Sequence, residues 1–370
     1  MSLRIGLIVN ALAGLGGPTA LRGSDGMAEM ALSMGEMPQA CARATEALRT
    51  LRELGPELTV ITGSGSLGDE STHAAGLHSE VVYKQSSHAC AEDTATLAQR
   101  LLLMQVDLLM FAGGDGTARD VAESVGDSFP VLGIPAGVKM YSGAFATTPV
   151  AAGTLALHYL RSHQRLTRQC EVMDVDEEDL RRDHIEPSLF GYVASPEDAR
   201  LLQGKKVRSS AGDSVHVQSI AAGVMEWMDP QKLYLIGPGS TTWALKQLLD
   251  GQPSLLGVDA YVGGKLILRD ATASALMHLA ESRSTHIIVT CIGGQGHIFG
   301  RGNQQFGAEL VRKIGRGSIT VLATPAKLVS LGGRPFIADL GESGAAAEMT
   351  GYIQVINGYQ NKAFYRCESF

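Results

Sequence analysis

The sequence predicts an α/β protein. A doubly wound parallel sheet is expected over residues 1–165 and a second, mixed α/β or β-rich domain over 166–345. The closing segment 346–370 has its return to the first domain left open. Three observations carry this reading. Short apolar runs alternate with helical patterns from residue 3 to 165, as in βαβ units stacked into a parallel sheet. The acidic run MDVDEEDLRRD at 173–183 breaks that alternation; most of it reads as a solvated face, and strand-like runs prevail beyond it. At 370 residues the chain suits two domains of about 100 to 200 residues, with the functional site expected in the cleft between them.

The first apolar run, LRIGLIV at 3–9, reads as a strand that empties into the glycine-rich stretch NALAGLGGPTALRGSDG. Asn10 stands at the strand end and glycines at 14, 16 and 17. Backbone amides there can meet a phosphate or ribose, or simply turn the chain. Arg22 and Asp25 follow in what reads as a long loop, as ligand contacts or as solvated charges. A helical pattern covers 39–54, LTVIT and EVVY are strands, and a second helical pattern covers 89–104. VDLLMFA at 106–112 is a nearly unbroken apolar run, as expected of a strand buried on both faces. A helix is expected over 117–125, VLGIP at 131–135 is the next strand, and a helical stretch ends near His163. In the second domain HVQSIAAGV, KLYLIG, VDAYV, KLILR, THIIVTCIG and SITVLA are expected as strands and ALKQLL as a helix.

The richest chemistry lies in DLLMFAGGDGTARD, residues 107–120, where a strand, a glycine loop and a helix start meet. Gly113, Gly114 and Gly116 would let the backbone take positive φ and approach an anion, while the helix opened by Thr117 offers free N–H groups and the positive end of its dipole. Asp115 is the only carboxylate in that loop. A carboxylate among phosphates is costly unless it takes a proton from an attacking hydroxyl or helps hold a divalent metal, and both roles belong to phosphoryl transfer. The plainer alternative is a tight turn that favours Asp. Thr117 and Asp120, three apart, read as a capping pair.

Three further segments offer polar groups at strand ends. Gly239, Ser240 and Thr241, in GPGSTTW, precede a helix and can bind a nucleotide or cap that helix. GGQGHIFGRGNQQ at 293–305 gathers His297, Arg301, Asn303, Gln304 and Gln305; Arg301 can clamp a phosphate and Asn303 or Gln304 can read a base or amide edge, with a structural hairpin turn as the alternative. Lys139, in GIPAGVKMYSGAFA, can neutralise a phosphate or stand as a surface lysine.

Composition excludes several classes. With 45% hydrophobic and 19% charged residues and no apolar run near the roughly 20 residues of a membrane span, a soluble globular chain is expected. A net charge of −7 argues against general nucleic-acid binding. Five scattered cysteines without a CxxC pair argue against a disulfide framework or a zinc site, and His158, His163, His278 and His286 lack metal-ligand spacing. With strand-like sequence at the N-terminus, the expected location is cytoplasmic. No G-x-x-x-x-G-K-[ST] occurs, and no GxGxxG follows the first strand.

The GGDGT loop at Gly113 to Thr117 resembles the signature of the superfamily that unites NAD kinases, diacylglycerol and sphingosine kinases, and 6-phosphofructokinases. The whole chain is similar to ATP-NAD kinase-like proteins of the AcoX type, linked to acetoin catabolism, through GIPAGVKMYSGAFA and GQG-x-x-FGRGNQQ. The resemblance implies ATP as donor, Mg2+ bridging its phosphates, and NAD as acceptor, with Asp115 activating the adenosine 2'-hydroxyl. It places Gly239–Trp243 on the dinucleotide-binding GSTAY motif, with Thr242 and Trp243 in place of Ala and Tyr. Asn10–Gly14 is similar to an Asn-Pro-x-(Ala/Ser)-Gly element, with Ala11 in place of proline. The Asn-Glu pair of NAD kinases has no clean match; Asp174 or Glu177 is the nearest candidate for acceptor binding. No amphipathic or basic segment points to the lipid-kinase branch. A homodimer is expected by analogy with related kinases. Two other readings stay open: a kinase for another small alcohol or sugar, and an NAD- or ATP-binding regulator without catalysis.

Overall fold

A computed structural model describes residues 3–21, 26–85, 90–138, 140–174, 187–198, 201–202, 213–341 and 347–369. The chain forms two compact units. Of the described residues, 3–15 and 26–202 fall in the first, and 16–21 with 213–369 in the second.

The first unit holds the doubly wound sheet that the alternation predicts. Its strands are β1 (Leu3–Val9), β2 (Leu58–Gly63), β3 (Ser79–Tyr83), β4 (Leu108–Gly113) and β5 (Val131–Pro135). They run parallel in the order β3-β2-β1-β4-β5. β4 is buried along its whole length, which is why LLMFAG carries no polar alternation. Helices α2 (Ala40–Thr50), α4 (Ala91–Leu103), α5 (Asp115–Val125) and α6 (Pro149–Arg161) cover the sheet, α2 against α6 and α4 against α5. Before α2 comes the short α1 (Ala28–Ser33), and between β2 and β3 lies α3 (Asp69–Ala74). α6 starts sharply because the Thr148 hydroxyl accepts from the Ala151 N–H at 3.0 Å and Pro149 supplies a preset φ. Beyond residue 165 the chain stays in this unit as the antiparallel hairpin β6 (Thr167–Asp174) and β7 (Ser188–Pro196).

The second unit is a mixed nine-stranded sheet. Its strands are β8 (Leu233–Ile236), β9 (Asp259–Val262), β10 (Lys265–Leu268), β11 (Thr285–Thr290), β12 (His297–Phe299), β13 (Ile319–Leu322), β14 (Phe336–Ala338), β15 (Gly351–Ile356) and β16 (Lys362–Ser369). The order is β10-β9-β8-β11-β13-β15-β16-β14-β12, with β8, β11, β13 and β15 parallel at its centre. The run HVQSIAAGV, expected as a strand, is helical within Asp213–Trp227. Its buried residues Val217, Ile220, Ala221 and Val224 recur at i, i+3, i+4 and i+7, so helical spacing overrides the β-branched content. Lys246, fully buried on the helix Ser240–Leu248, pairs with buried Asp259 at 2.9 Å and donates to the Ser254 and Gly257 carbonyls. Asp259 also accepts from Ser254 and the Asp270 N–H, so this buried pair is fully hydrogen-bonded and fixes the 250–259 loop.

Candidate functional site

In the first unit the strand order reverses between β1 and β4, the switch point at which an open α/β sheet offers a crevice beyond its carboxyl ends. Three loops meet there. The Asn10 N–H donates to the Ala112 carbonyl at 3.0 Å, and the Asn10 amide donates to Thr117 Oγ1 at 2.9 Å. The Ala136 and Gly137 N–H groups both donate to the Gly113 carbonyl at 3.0 Å. Gly14, at φ +91°, lies so near β5's exit that a Cβ would fall 2.5 Å from the Ala136 oxygen.

The glycines of the GGDG loop work differently from the expectation. Neither Gly113, Gly114 nor Gly116 has positive φ. Closeness is what requires Gly113, and Gly137 beside the loop: a Cβ on Gly113 would fall 2.4 Å from Thr117 Oγ1, and one on Gly137 would fall 2.7 Å from the Gly114 Cα. A Cβ on Gly116 meets nothing within 4 Å, so that side of the turn is open. α5 begins at Asp115, two residues before the expected start, with Gly114 as N-cap and no side-chain cap. Thr117 and Asp120 do not form a capping pair: the Thr117 hydroxyl takes the Asn10 amide proton, and Asp120 lies beside Arg119 at 3.4 Å.

Asp115 is 7% exposed and held by the segment after β5. Its Oδ2 accepts from the Tyr141 N–H at 2.7 Å, and its Oδ1 from the Ser142 N–H at 3.0 Å and the Ser142 hydroxyl at 2.5 Å. Ser142 Oγ in turn accepts from the Met173 N–H at 2.9 Å, which ties the acidic turn to β6. Tyr141 and Ser142 were not among the expected site residues. Two of the three donors are backbone groups, which leave no mark in a sequence; the only signal was their place in the GIPAGVKMYSGAFA segment. A carboxylate at the first turn of a helix that accepts from these donors is held in one orientation.

In the second unit the loops after β8, β11 and β13 gather at the carboxyl ends of parallel strands. Gly239, at φ +125°, is the N-cap of Ser240–Leu248, and neither Ser240 nor Thr241 caps that helix. A Cβ on Gly239 would fall 2.4 Å from Thr290 Cγ2. Ser240 is exposed, whereas Thr241 is fully buried and accepts from Lys327 Nζ at 2.9 Å. Lys327, from the helix Pro325–Ser330, also donates to Thr290 Oγ1 at 3.0 Å, and its charge partly offsets the burial that pushes the Cys291 thiol up to about 11. Residues 293–306 are buried almost throughout. The Ile292 carbonyl accepts from the Gln295 and Gly296 N–H groups in a turn, Asn303 donates to the Ile298 carbonyl and Gln304 to the Gly300 carbonyl. Arg301 is 7% exposed. Residues 16–21 belong to this unit, where a Cβ on Gly17 would fall 3.0 Å from Gln304 Cβ and the Pro18 carbonyl accepts from the Ala273 N–H.

Lys139, Glu177, Arg22 and Asp25 lie outside the described residues; Asp174 is placed only as the last residue of β6, opposite Ser188. Among the described residues no group of three or more His, Cys, Asp and Glu side chains could hold a metal ion, and no helix is long and apolar enough to cross a membrane.

Comparison with known proteins agrees with the geometry of both units. Residues 5–164 match the model of the ATP-NAD kinase N-terminal domain, and residues 231–367 that of the ATP-NAD kinase C-terminal domain. No curated protein matches the chain. A crystal structure of a conserved domain protein from Vibrio cholerae O1 biovar El Tor strain N16961 is 11% identical, over 97% of this chain and 81% of that one, at a TM-score of 0.26, too low to carry a shared arrangement. The two domain matches take in most of the chain, and the first encloses the β1, β4 and β5 loops that close around Asp115, so the chain belongs to the ATP-NAD kinase family.

Proposed function

We propose that this chain is an ATP-dependent kinase that transfers the γ-phosphate to the 2'-hydroxyl of NAD or to a hydroxyl of a related nucleotide-like acceptor. The observation that carries the reading is the Asp115 carboxylate, oriented by three hydrogen bonds on the first turn of α5 at the sheet's switch point. In this reading the free N–H groups of that turn face phosphate oxygens, and the open side of Gly116 gives them room. Asn10 fixes Thr117, which keeps the β1 and β4 loops together. Asp115 takes the proton of the attacking hydroxyl. When bound with the nucleotide, Mg2+ would supply charge neutralisation. Asp115, the carboxylate of this loop, would be the residue beside such an ion.

The test is mass spectrometry of the purified chain after incubation with ATP, Mg2+ and NAD. NADP formed by the wild type and lost in Asp115→Asn, with the variant shown folded by its melting curve, is the expected result; normal turnover by that variant overturns the assignment. The lack of a clean Asn-Glu pair favours one second reading, a different small alcohol or sugar as acceptor. It is tested by replacing NAD with an acceptor panel and following ADP release.

A further inference from the structure

The mixed sheet of the second unit is covered unevenly. On one face of the β15–β16 hairpin, Ile353, Val355 and Cys367 are buried in the core of the unit. The other face of β15 carries Tyr352, Gln354 and Ile356, because alternate residues of a strand share a face. Ile356 and its neighbour Leu322 on β13 cluster with Val217, Ile220 and Val224 of the helix Asp213–Trp227. That helical cover stops short of the rest of the face. Across the antiparallel ladder Gln354 pairs with Phe364 and Tyr352 with Arg366, and the rings of Tyr352 and Phe364 are 65% and 69% exposed. Lys362 is exposed at one end of the β16 row, and at the other end Arg366 meets Glu368 at 2.5 Å with both side chains reaching solvent. Two bare aromatic rings on adjacent strands leave apolar area in water that a partner surface would cover.

We infer that this hairpin face is the contact between two copies of the chain, packed sheet on sheet about a two-fold axis that crosses β16 at the level of Tyr365. The exposed side chains along β16 run Lys362, Phe364, Arg366, Glu368, an order complementary to its own reverse. With β16 antiparallel to its symmetry mate, Lys362 faces the partner's Glu368 and Phe364 faces the partner's Arg366, a cation against a ring. On β15, Tyr352 then faces the partner's Gln354. An axis along the strand would instead set Lys362 on Lys362 and Arg366 on Arg366, which like charges oppose. The charge order also selects against other occupants: Glu368 within the row and a net charge of −7 oppose a nucleic-acid strand or an anionic membrane. β16 has eight residues, about 26 Å, and two strands are about 10 Å wide, so the face covers a few hundred Å2 in plan. A standard interface buries about 800 Å2 on each side, so a dimer that forms and dissociates with concentration is expected. The inference stands whether or not the first unit transfers phosphate.

The experiment is sedimentation velocity of the full-length protein from about 1 to about 200 µM, where a shift from monomer to dimer is expected. The dimer should weaken as salt rises. Phe364→Ser should raise the dissociation constant by about tenfold or more, since each copy loses a ring from the centre of the contact. Lys362→Glu sets two like-charge contacts in each dimer and should raise it by about tenfold, while Lys362→Glu combined with Glu368→Lys should bring it back to within about threefold of the wild type. Recovery by the exchange of charges is a result that a merely structural role for these residues would not give. All replaced side chains reach solvent, so the variants should melt with the wild type at about 1 µM; if Phe364→Ser melts early, the charge exchange decides alone. A chain that stays monomeric at the highest concentration overturns the inference and leaves the face to a different protein. So does a dimer that Phe364→Ser and Lys362→Glu leave unchanged, or one that the exchange of charges fails to restore.

Discussion

Replacing Asp115 by Asn should loosen the first unit as well as stop turnover, and the geometry says by how much. The carboxylate accepts at both oxygens, from Tyr141 N–H at 2.7 Å on one and from Ser142 N–H and hydroxyl at 3.0 and 2.5 Å on the other. An amide keeps a single carbonyl oxygen. If that oxygen stays with Ser142, the new NH2 faces the Tyr141 N–H; if it flips, it faces the Ser142 N–H. Either way a donor meets a donor at a site 7% exposed, and at least one charge-assisted bond is lost. A bond to a charged group contributes about 1.5–3 kcal/mol and an orphaned buried donor costs a similar amount, so a loss of about 2–4 kcal/mol is expected. For domains of about 150–250 residues that lowers the melting temperature by roughly 4–16 °C. Circular dichroism during thermal and urea unfolding of wild type, Asp115→Asn, Ser142→Ala and the double variant measures it. Because Ser142 Oγ serves both Asp115 and the Met173 N–H, the single losses should exceed the double loss when summed. An Asp115→Asn protein as stable as the wild type, with strictly additive effects, would refute the grip of residues 141–142 on the carboxylate. Turnover assays on this variant belong below its own melting transition.

Two further predictions concern packing and pH. Gly137→Ala puts a methyl 2.7 Å from the Gly114 Cα, a backbone atom that cannot swing aside, so it should cost about 1–3 kcal/mol in urea unfolding and abolish nucleotide binding measured by calorimetry. Gly116→Ala, whose methyl meets nothing within 4 Å, should leave stability within about 1 kcal/mol and so isolates any effect on the ligand; equal stability of Gly137→Ala and wild type would refute the close approach. His286 packs against Trp227 and Tyr234, and burial, aided by Lys232, holds its imidazole down at about 4 against an ordinary 6.5. The unfolded chain therefore takes up a proton that the folded one refuses. The stability linked to this group is full above pH 6.5 and is lost as pH falls from 6.5 toward 4, by roughly 3 kcal/mol at most. A His286→Gln variant, able to keep a bond to Thr320, should show a flatter fall of melting temperature across that window; an unchanged slope would exclude His286 as its source.

What the sequence revealed and what it concealed follow from where each interaction keeps its atoms. β4 and the glycine turn before α5 were legible because burial on both faces enforces an unbroken apolar run, and a turn packed this closely enforces glycine. The reason for the glycines was not legible, since positive φ and close approach select the same residue and only coordinates separate Gly14 at φ +91° from Gly113 pressed on Thr117. The run 216–224 misled because Val and Ile suggest a strand, while the deciding fact was the spacing of Val217, Ile220, Ala221 and Val224. The grip on Asp115 was hidden for a deeper reason. Any residue donates a backbone N–H, so Tyr141 and Ser142 contribute two of their three bonds without a side-chain signal. The amides of 295–305 are the converse. Their polar density is plain in the sequence, but the bonds by which Asn303 and Gln304 hold the Ile298 and Gly300 carbonyls are not, because a carbonyl acceptor can belong to any residue. Sequence therefore reports a site best where the chemistry resides in side chains and the backbone is forced into a rare approach, and least where main-chain donors do the holding.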